Sequence, residues 1–152
     1  MKLILVQLKD NTAKLLLWMT LLATLYGGIL INWIDLFGTP HTPAATLWII
    51  LMYFWPFLLV LFFRGIQDWE ITVAFGLYTS LLNDLLYAPV GRYLFGLAHN
   101  LQDFYLFQFG FKGLTLGWLA RFGFFDVPIT SLTMGISIYA RIAAIIYLLK
   151  RL

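Results

Sequence analysis

The chain has 152 residues, of which 62% are hydrophobic and 11% are charged, and its net charge is +3. Soluble globular chains carry roughly 45–50% hydrophobic and roughly 25% charged residues, so this sequence cannot form the polar surface of a water-soluble protein and predicts a single transmembrane domain over 1–152. The scattered cations exclude the basic patch of a nucleic-acid-binding protein, and the absence of cysteine excludes disulfides, thiolate metal sites and a cysteine nucleophile.

Two uncharged stretches near the N-terminus predict the first two membrane spans. Residues 15–34 form one of them, and their length as an α-helix matches a hydrocarbon core of about 30 Å. Small residues at Gly27 and Gly28 would let a neighbouring helix approach closely. Residues 44–63 form the second stretch, and Pro56 inside it is expected to bend the helix.

The third and fourth predicted spans both contain ionisable residues. Residues 71–88 form the third span, which includes Asn83 and Asp84. A helix that begins near Glu70 carries the Asp84 carboxylate about 21 Å along its axis, inside the membrane or near its far interface. Residues 129–149 form the fourth span, which includes Arg141.

The segment 90–127, between the third and fourth spans, is rich in aromatic residues but also carries charges. A lysine at the centre of a span costs about 2.5–3.5 kcal/mol on insertion scales, so Lys112 disfavours a simple crossing. We therefore expect one or two interfacial helices, or a re-entrant hairpin that breaks at Gly110 and Gly113. A fifth span over 104–125 is the competing interpretation.

The distribution of cations predicts the orientation of the chain. Cations lie before the first span, between the second and third spans, and after the fourth: Lys2, Lys9, Lys14, Arg64, Lys150 and Arg151. The loop 35–43 has no lysine or arginine. With four spans all these cations fall on one side, which should be cytoplasmic, together with both termini. A fifth span would place the basic C-terminus outside.

Asp84 and Arg141 are the first candidate site, because ionisable groups inside a membrane pair with one another or line a wet cavity. Antiparallel packing of the third and fourth spans would bring the two side chains within reach. One interpretation is a proton- or ion-coupled site or a pocket for a lipid headgroup, with Asn83 as a hydrogen-bonding partner. The other is a structural pair that sets the helix register, or an arginine that extends toward the interface.

Arg92, His99 and Asp103 are the second candidate set. On one helix they would fall within about 40° of one another. The spacing of His99 and Asp103 is that of a metal-ligand pair, but two ligands do not complete a metal site, so no metal and no cofactor is assigned. The alternative is the polar face of an amphipathic interfacial helix.

The segment 74–97, AFGLYTSLLNDLLYAPVGRYLFGL, contains Gly76, Asp84, Leu85 and Gly91. They form a loose version of a Gly-x-x-x-Asp-Leu-x-x-x-x-x-Gly pattern, with seven residues instead of three between the first glycine and the aspartate. This segment resembles the helix hairpin of the rod-shape protein family MreD. That resemblance implies more spans than this chain accommodates, and no site assignment follows from it.

The sequence therefore predicts an all-α integral membrane protein, a bundle of about four transmembrane helices with an interfacial or re-entrant segment between the third and fourth. It contains no HExxH, GxSxG or Walker-type motif. We expect a non-enzymatic accessory or structural subunit of a larger membrane complex, with lipid and other membrane subunits or further copies of itself as partners. A small oligomeric transporter or channel that uses Asp84 and Arg141 is the alternative, and an interfacial lipid-modifying enzyme is a third interpretation.

Overall fold

The chain is mostly helical. The computed structural model describes residues 2–37, 43–113, 116–122 and 125–151, and it describes side chains over 13–37, 50–66, 68–113 and 129–151. The elements are, in order, α1 (Lys2–Leu25), a π-helical turn (Tyr26–Ile31), α2 (Asn32–Phe37), α3 (Pro43–Arg64), a 3-10 turn (Ile66–Asp68), α4 (Trp69–Phe95), α5 (Leu101–Gln108), β1 (Leu116–Phe122), β2 (Phe125–Thr130) and α6 (Ser131–Leu149). The prediction of a helical fold is confirmed.

Helices of membrane-spanning length coincide with the predicted spans. The first is formed by α1, the π-helical turn and α2, which run without interruption and are called here the N-terminal helix. Three helices are long and apolar enough to cross a membrane, over Ala13–Phe37, Trp69–Phe95 and Ser131–Leu149, and Ile50–Arg64 is a shorter apolar helix. The agreement between these helices and the predicted spans concerns length and composition only. Both properties are compatible with a membrane location.

α4 lies at the centre of the bundle, because the N-terminal helix, α3 and α6 all pack against it. In the apolar stretch of α4 that is long enough to cross a membrane, 56% of the residues are buried, whereas 17% are buried in that of α6. Gly27 packs against Thr79 and the ring of Phe37 against that of Phe95, so the N-terminal helix runs parallel to α4. The remaining two long helices, α3 and α6, run antiparallel to it.

The central contacts of the bundle are apolar. Met19, Ala23, Phe57, Ile71 and Phe75 form a buried cluster between the N-terminal helix, α3 and α4. Each of these elements therefore has one apolar face that is covered by protein, while many of its other large apolar side chains are exposed. Exposed apolar surface of this extent matches a lipid environment better than an aqueous one.

The chain directions place cations from separate parts of the sequence at one end of the bundle. The side chains of Lys14, Arg64 and Lys150 are exposed there. Arg151 Nη2 lies 3.5 Å from Glu70 Oε1, which links the end of α6 to the start of α4. The side chains of Lys2 and Lys9, which belong to the same predicted cluster, lie outside the described residues.

α4 does not end at residue 88, the predicted limit of the third span, but continues through Pro89 to Phe95. Proline has no backbone N–H, so the carbonyl of Leu85 loses the donor that a helix normally supplies. The Tyr105 hydroxyl of α5 donates a hydrogen bond to that oxygen at 3.2 Å. Burial raises the pKa of the Tyr105 hydroxyl above its usual value, which keeps this donor protonated.

The predicted helical segment over 90–127 is only partly correct. Within it α5 is a short helix, and the chain then turns at Gly110 and Gly113, which have φ angles of +85° and +78°. The predicted break at these glycines is confirmed, since only glycine adopts such angles readily. Beyond them the backbone forms a hairpin instead of a second helix. A fifth span over 104–125 is excluded because α5 ends at Gln108.

β1 and β2 pair antiparallel, with a register that runs from Leu116↔Thr130 to Phe122↔Phe125. Aromatic and β-branched residues favour extended backbone, and these strands contain Trp118, Phe122, Phe125, Val127 and Ile129. The remaining residues of the predicted interfacial segment, 114–115 and 123–124, lie outside the described residues. The all-α fold is supported by the mostly helical chain, and this pair of strands is a local departure from it.

The start of α6 is attached to the turn that follows α5. Thr130 caps the helix, and its side chain accepts a hydrogen bond from Thr133 N at 3.2 Å. Ser131 Oγ donates to Phe107 O at 2.8 Å. A Cβ added to Gly135 would lie 2.9 Å from Phe109 O, so glycine permits this close approach of the two backbones. These contacts set the position from which α6 runs back along α4.

Candidate functional site

Asp84 on α4 and Arg141 on α6 form an ion pair inside the bundle. Arg141 Nη2 lies 2.5 Å from Asp84 Oδ2, and the two side chains are 15% and 26% exposed respectively. Arg141 Nη1 also donates to Ser80 Oγ at 3.0 Å, and its Nε donates to Ser137 O at 3.2 Å. The guanidinium is thus held by a carboxylate, a hydroxyl and a carbonyl at the same time.

Antiparallel packing of the two helices explains how these residues meet. Asp84 lies about 22 Å along α4 from Trp69, and Arg141 lies about 12 Å along α6 from Leu149. These ends are adjacent, as the contact between Glu70 and Arg151 shows. The extended arginine side chain spans much of the difference in height, and the pair lies in the middle third of the bundle.

Asn83 does not join this ion pair. Its Nδ2 donates to the hydroxyl of Tyr53 on α3 at 3.3 Å. Neighbouring residues on a helix point in directions about 100° apart, so Asn83 and Asp84 face different helices. The expectation that Asn83 bonds to the charged pair is therefore wrong. The residue that does so is Ser80, whose i, i+4 spacing to Asp84 was a signal available in the sequence.

Buried polar side chains also occur where the N-terminal helix meets α4. Asn32 is fully buried, and its Nδ2 donates to Gly28 O at 3.0 Å. Asn32 Oδ1, Thr79 Oγ1 and Asn83 Oδ1 are buried without a hydrogen-bonding partner among the described residues. Polar atoms of this kind are costly inside a membrane and often belong to functional sites. The π-helical turn beside them is another feature that is enriched at such sites.

Arg92, His99 and Asp103 do not share a helix, because α4 ends at Phe95 and α5 begins at Leu101. The prediction of one amphipathic helix that carries all three is therefore wrong. The chain reverses at Gly96, whose φ angle of +69° ends α4. The apolar face expected on that helix is divided between two elements for the same reason.

The three side chains consequently have separate contacts. Arg92 Nη1 donates to the backbone oxygen of His99 at 3.3 Å, and Asp103 pairs with Lys112 at 3.2 Å. The His99 ring packs against Gly91 and lies 5.8 Å from the ring of Tyr87. Over the described ranges, no group of three or more histidine, cysteine, aspartate or glutamate side chains is positioned to hold a metal ion.

The geometry defines what the central pair can do chemically. A carboxylate and a guanidinium in contact neutralise one another, so the pair can be buried at much lower cost than either charge alone. It also ties α6, the least buried spanning helix, to α4. A proton or cation that reached Asp84 would have to compete with Arg141 for the carboxylate.

Comparison of this chain with known protein families, with curated proteins and with solved structures finds no match.

Proposed function

We propose that this chain is a multi-pass membrane protein that serves as a non-enzymatic structural subunit of a larger membrane complex. The observation that carries the proposal is a stripe of small residues on α6 that the described part of the chain leaves largely uncovered. It consists of Thr133, Ser137, Ala140 and Ala144, of which the first three are exposed and the fourth is half-buried.

The stripe has the geometry of a helix-packing surface. Its four residues fall within about 60° of one another at 3.6 residues per turn. Small side chains at such spacing let a second membrane helix approach closely, which is how helices associate when lipid offers no hydrophobic gain. Arg141, which contacts α4, lies about 70° around the helix axis from the centre of the stripe. α6 can therefore pack against α4 and still present the stripe to a further helix.

A pair of alanine substitutions tests the subunit proposal. Ala140 lies in the stripe, whereas the exposed Ala143 lies about 90° from its centre. Purification in a mild detergent should yield assemblies of fixed stoichiometry. We expect Ala140→Phe to dissociate them and Ala143→Phe to leave them intact. A parent protein that is monomeric in native mass spectrometry would contradict the proposal.

We further propose four spans with both termini on the cytoplasmic side. Lys14, Arg64 and Lys150 lie at the same end of the bundle, and such clusters of cations face the cytoplasm. Since the chain has no cysteine, single substitutions give unambiguous labelling. In intact cells, Gln102→Cys should react with a membrane-impermeant maleimide. Ile66→Cys and Lys150→Cys should react only after the membrane is opened, and the reverse pattern would overturn the orientation.

A small oligomeric transporter or channel is the second candidate, and the buried oxygens of Asn32, Thr79 and Asn83 favour it. Buried polar groups on membrane helices, with a carboxylate on one of the same helices, are typical of ion and proton pathways. Reconstituted liposomes should then show proton or sodium flux that Asp84→Asn abolishes. Asp103→Asn, which changes an exposed carboxylate paired with Lys112, is the control. Absence of flux in the parent protein would count against this candidate.

A further inference from the structure

An apolar groove runs between the N-terminal helix and α6, with α4 as its floor. Its volume is about 210 Å³, and its lining residues are Thr20, Ala74, Phe75, Tyr78, Ile145 and Leu149. The groove forms because the two flanking helices both pack on α4 while remaining apart from each other at this level. The small side chain of Ala74 deepens the floor, since it leaves space that a larger residue would fill.

The groove is apolar even at the position of its threonine. The Thr20 hydroxyl donates to Leu16 O at 2.8 Å, so it is satisfied by its own helix and presents its methyl group more readily than its oxygen. Protein surfaces that face a void lose dispersion contacts, and lipid chains are the apolar material that surrounds a membrane helix bundle. A hydrocarbon chain is therefore the ligand that matches this lining.

Two exposed cations lie at the end of the bundle at which Leu149 lines the groove. Lys150 directly follows Leu149, a lining residue, and Lys14 lies about 9 Å before Thr20 along the N-terminal helix. Both lysine side chains are exposed. Two arginines at this end pair with carboxylates: Arg151 lies 3.5 Å from Glu70 and Arg64 lies 2.6 Å from Asp68. Among the described residues, the two lysines therefore remain as the cations to meet an anionic group.

We propose that this groove binds an acyl chain of an anionic phospholipid, with the lipid phosphate against Lys14 and Lys150. The lipid belongs to the leaflet in which the two lysines lie. Basic residues at a membrane surface attract anionic headgroups, and the groove adds a position for the attached chain. The proposal depends on the membrane-spanning arrangement and is independent of whether the protein is a subunit or a transporter.

Lipid retention by the full chain tests the headgroup contact. The protein in mild detergent is titrated with phosphatidylglycerol or phosphatidylcholine of identical acyl chains, and bound lipid is counted by native mass spectrometry. We expect tighter retention of phosphatidylglycerol. Lys14→Gln combined with Lys150→Gln should weaken it about 25-fold, at about fivefold for each lysine. Lys112→Gln, at the opposite end of the bundle, should have no effect.

A matched pair of threonines tests the groove itself. Thr20 lines the groove and Thr24 does not, although both are exposed and both donate to the carbonyl four residues earlier. Thr20→Phe should fill the groove and lower the number of retained phosphatidylglycerol molecules by one, whereas Thr24→Phe should leave it unchanged. Neither change touches the buried core.

Three results would overturn the proposal. The first is equal retention of the two phospholipids by the parent protein. The second is an unchanged affinity in the double lysine variant. The third is a partner protein that Thr20→Phe displaces while lipid retention stays the same, which would assign the groove to a membrane helix instead.

Discussion

Pro89 lies inside α4 and cannot donate a backbone hydrogen bond, so the Leu85 carbonyl needs a donor from elsewhere. The Tyr105 hydroxyl supplies it at 3.2 Å. This contact attaches α5 to α4 at the place where the long helix would otherwise expose an unpaired polar atom. One side chain therefore explains both why α4 continues to Phe95 and where α5 packs.

Tyr105→Phe should destabilise the protein by about 1–3 kcal/mol, because it removes the donor and leaves a buried carbonyl without a partner. Pro89→Ala restores a backbone N–H to the helix. In the Pro89→Ala background, Tyr105→Phe should consequently cost much less. The free energy of unfolding in mixed detergent micelles gives the coupling of the two changes. Additive effects would show that Tyr105 does not compensate for the proline.

Removing one charge of the ion pair should destabilise the protein much more than removing both charges. Arg141→Met leaves the Asp84 carboxylate without its cation and should cost about 3–5 kcal/mol. The double variant Asp84→Leu with Arg141→Met removes both charges and should recover most of that loss. The same unfolding assay measures both. A double variant as unstable as the sum of the single variants would show that the two charges are not coupled.

At the scale of elements, the N-terminal helix and α4 touch closely at Gly27. A Cβ at this position would lie 2.8 Å from Thr79 O and 3.1 Å from its Cα, both of which are backbone atoms. At Gly28 the nearest atom is Leu86 Cδ1, at 2.9 Å. The first contact can be relieved only by moving a helix, whereas a leucine side chain can adopt another rotamer.

The two adjacent glycines should therefore respond differently to alanine. Gly27→Ala should destabilise the bundle by about 1–3 kcal/mol through overpacking. Gly28→Ala should be close to neutral, because the repacking of Leu86 is offset by the better helix propensity of alanine, worth up to about 1 kcal/mol. Thermal unfolding of both variants in the same detergent provides the comparison. Equal losses would contradict this account of the helix contact.

At the scale of the whole molecule, the large exposed apolar area indicates that lipid is the solvent of the bundle. Apart from the carbonyls that lose their donors at Pro56 and Pro89, a regular helix bonds its interior backbone groups within itself, as a membrane interior requires. We expect the chain to remain in the membrane fraction after an alkaline carbonate wash and to need detergent for extraction. A monodisperse protein in aqueous buffer alone would contradict the membrane-spanning arrangement and the lipid groove together.

Several features could be predicted because they depend only on local sequence. Runs of about twenty apolar residues specify helices of membrane length whatever their neighbours are. The break at Gly110 and Gly113 follows from a backbone conformation that glycine favours. The contact between Asp84 and Arg141 could be predicted from the rise per residue of an α-helix, if the third and fourth spans were assumed to pack antiparallel.

The sequence by itself determined the number, length and approximate limits of the apolar helices, because these follow from composition and from the fixed rise of a helix. The tertiary structure decided the rest. Only contacts between distant residues could show that Tyr105 compensates for Pro89 and that Asn83 bonds to Tyr53 instead of the ion pair. Each of these depends on a hydrogen-bonding partner that lies far away in the chain, and no local pattern specifies it.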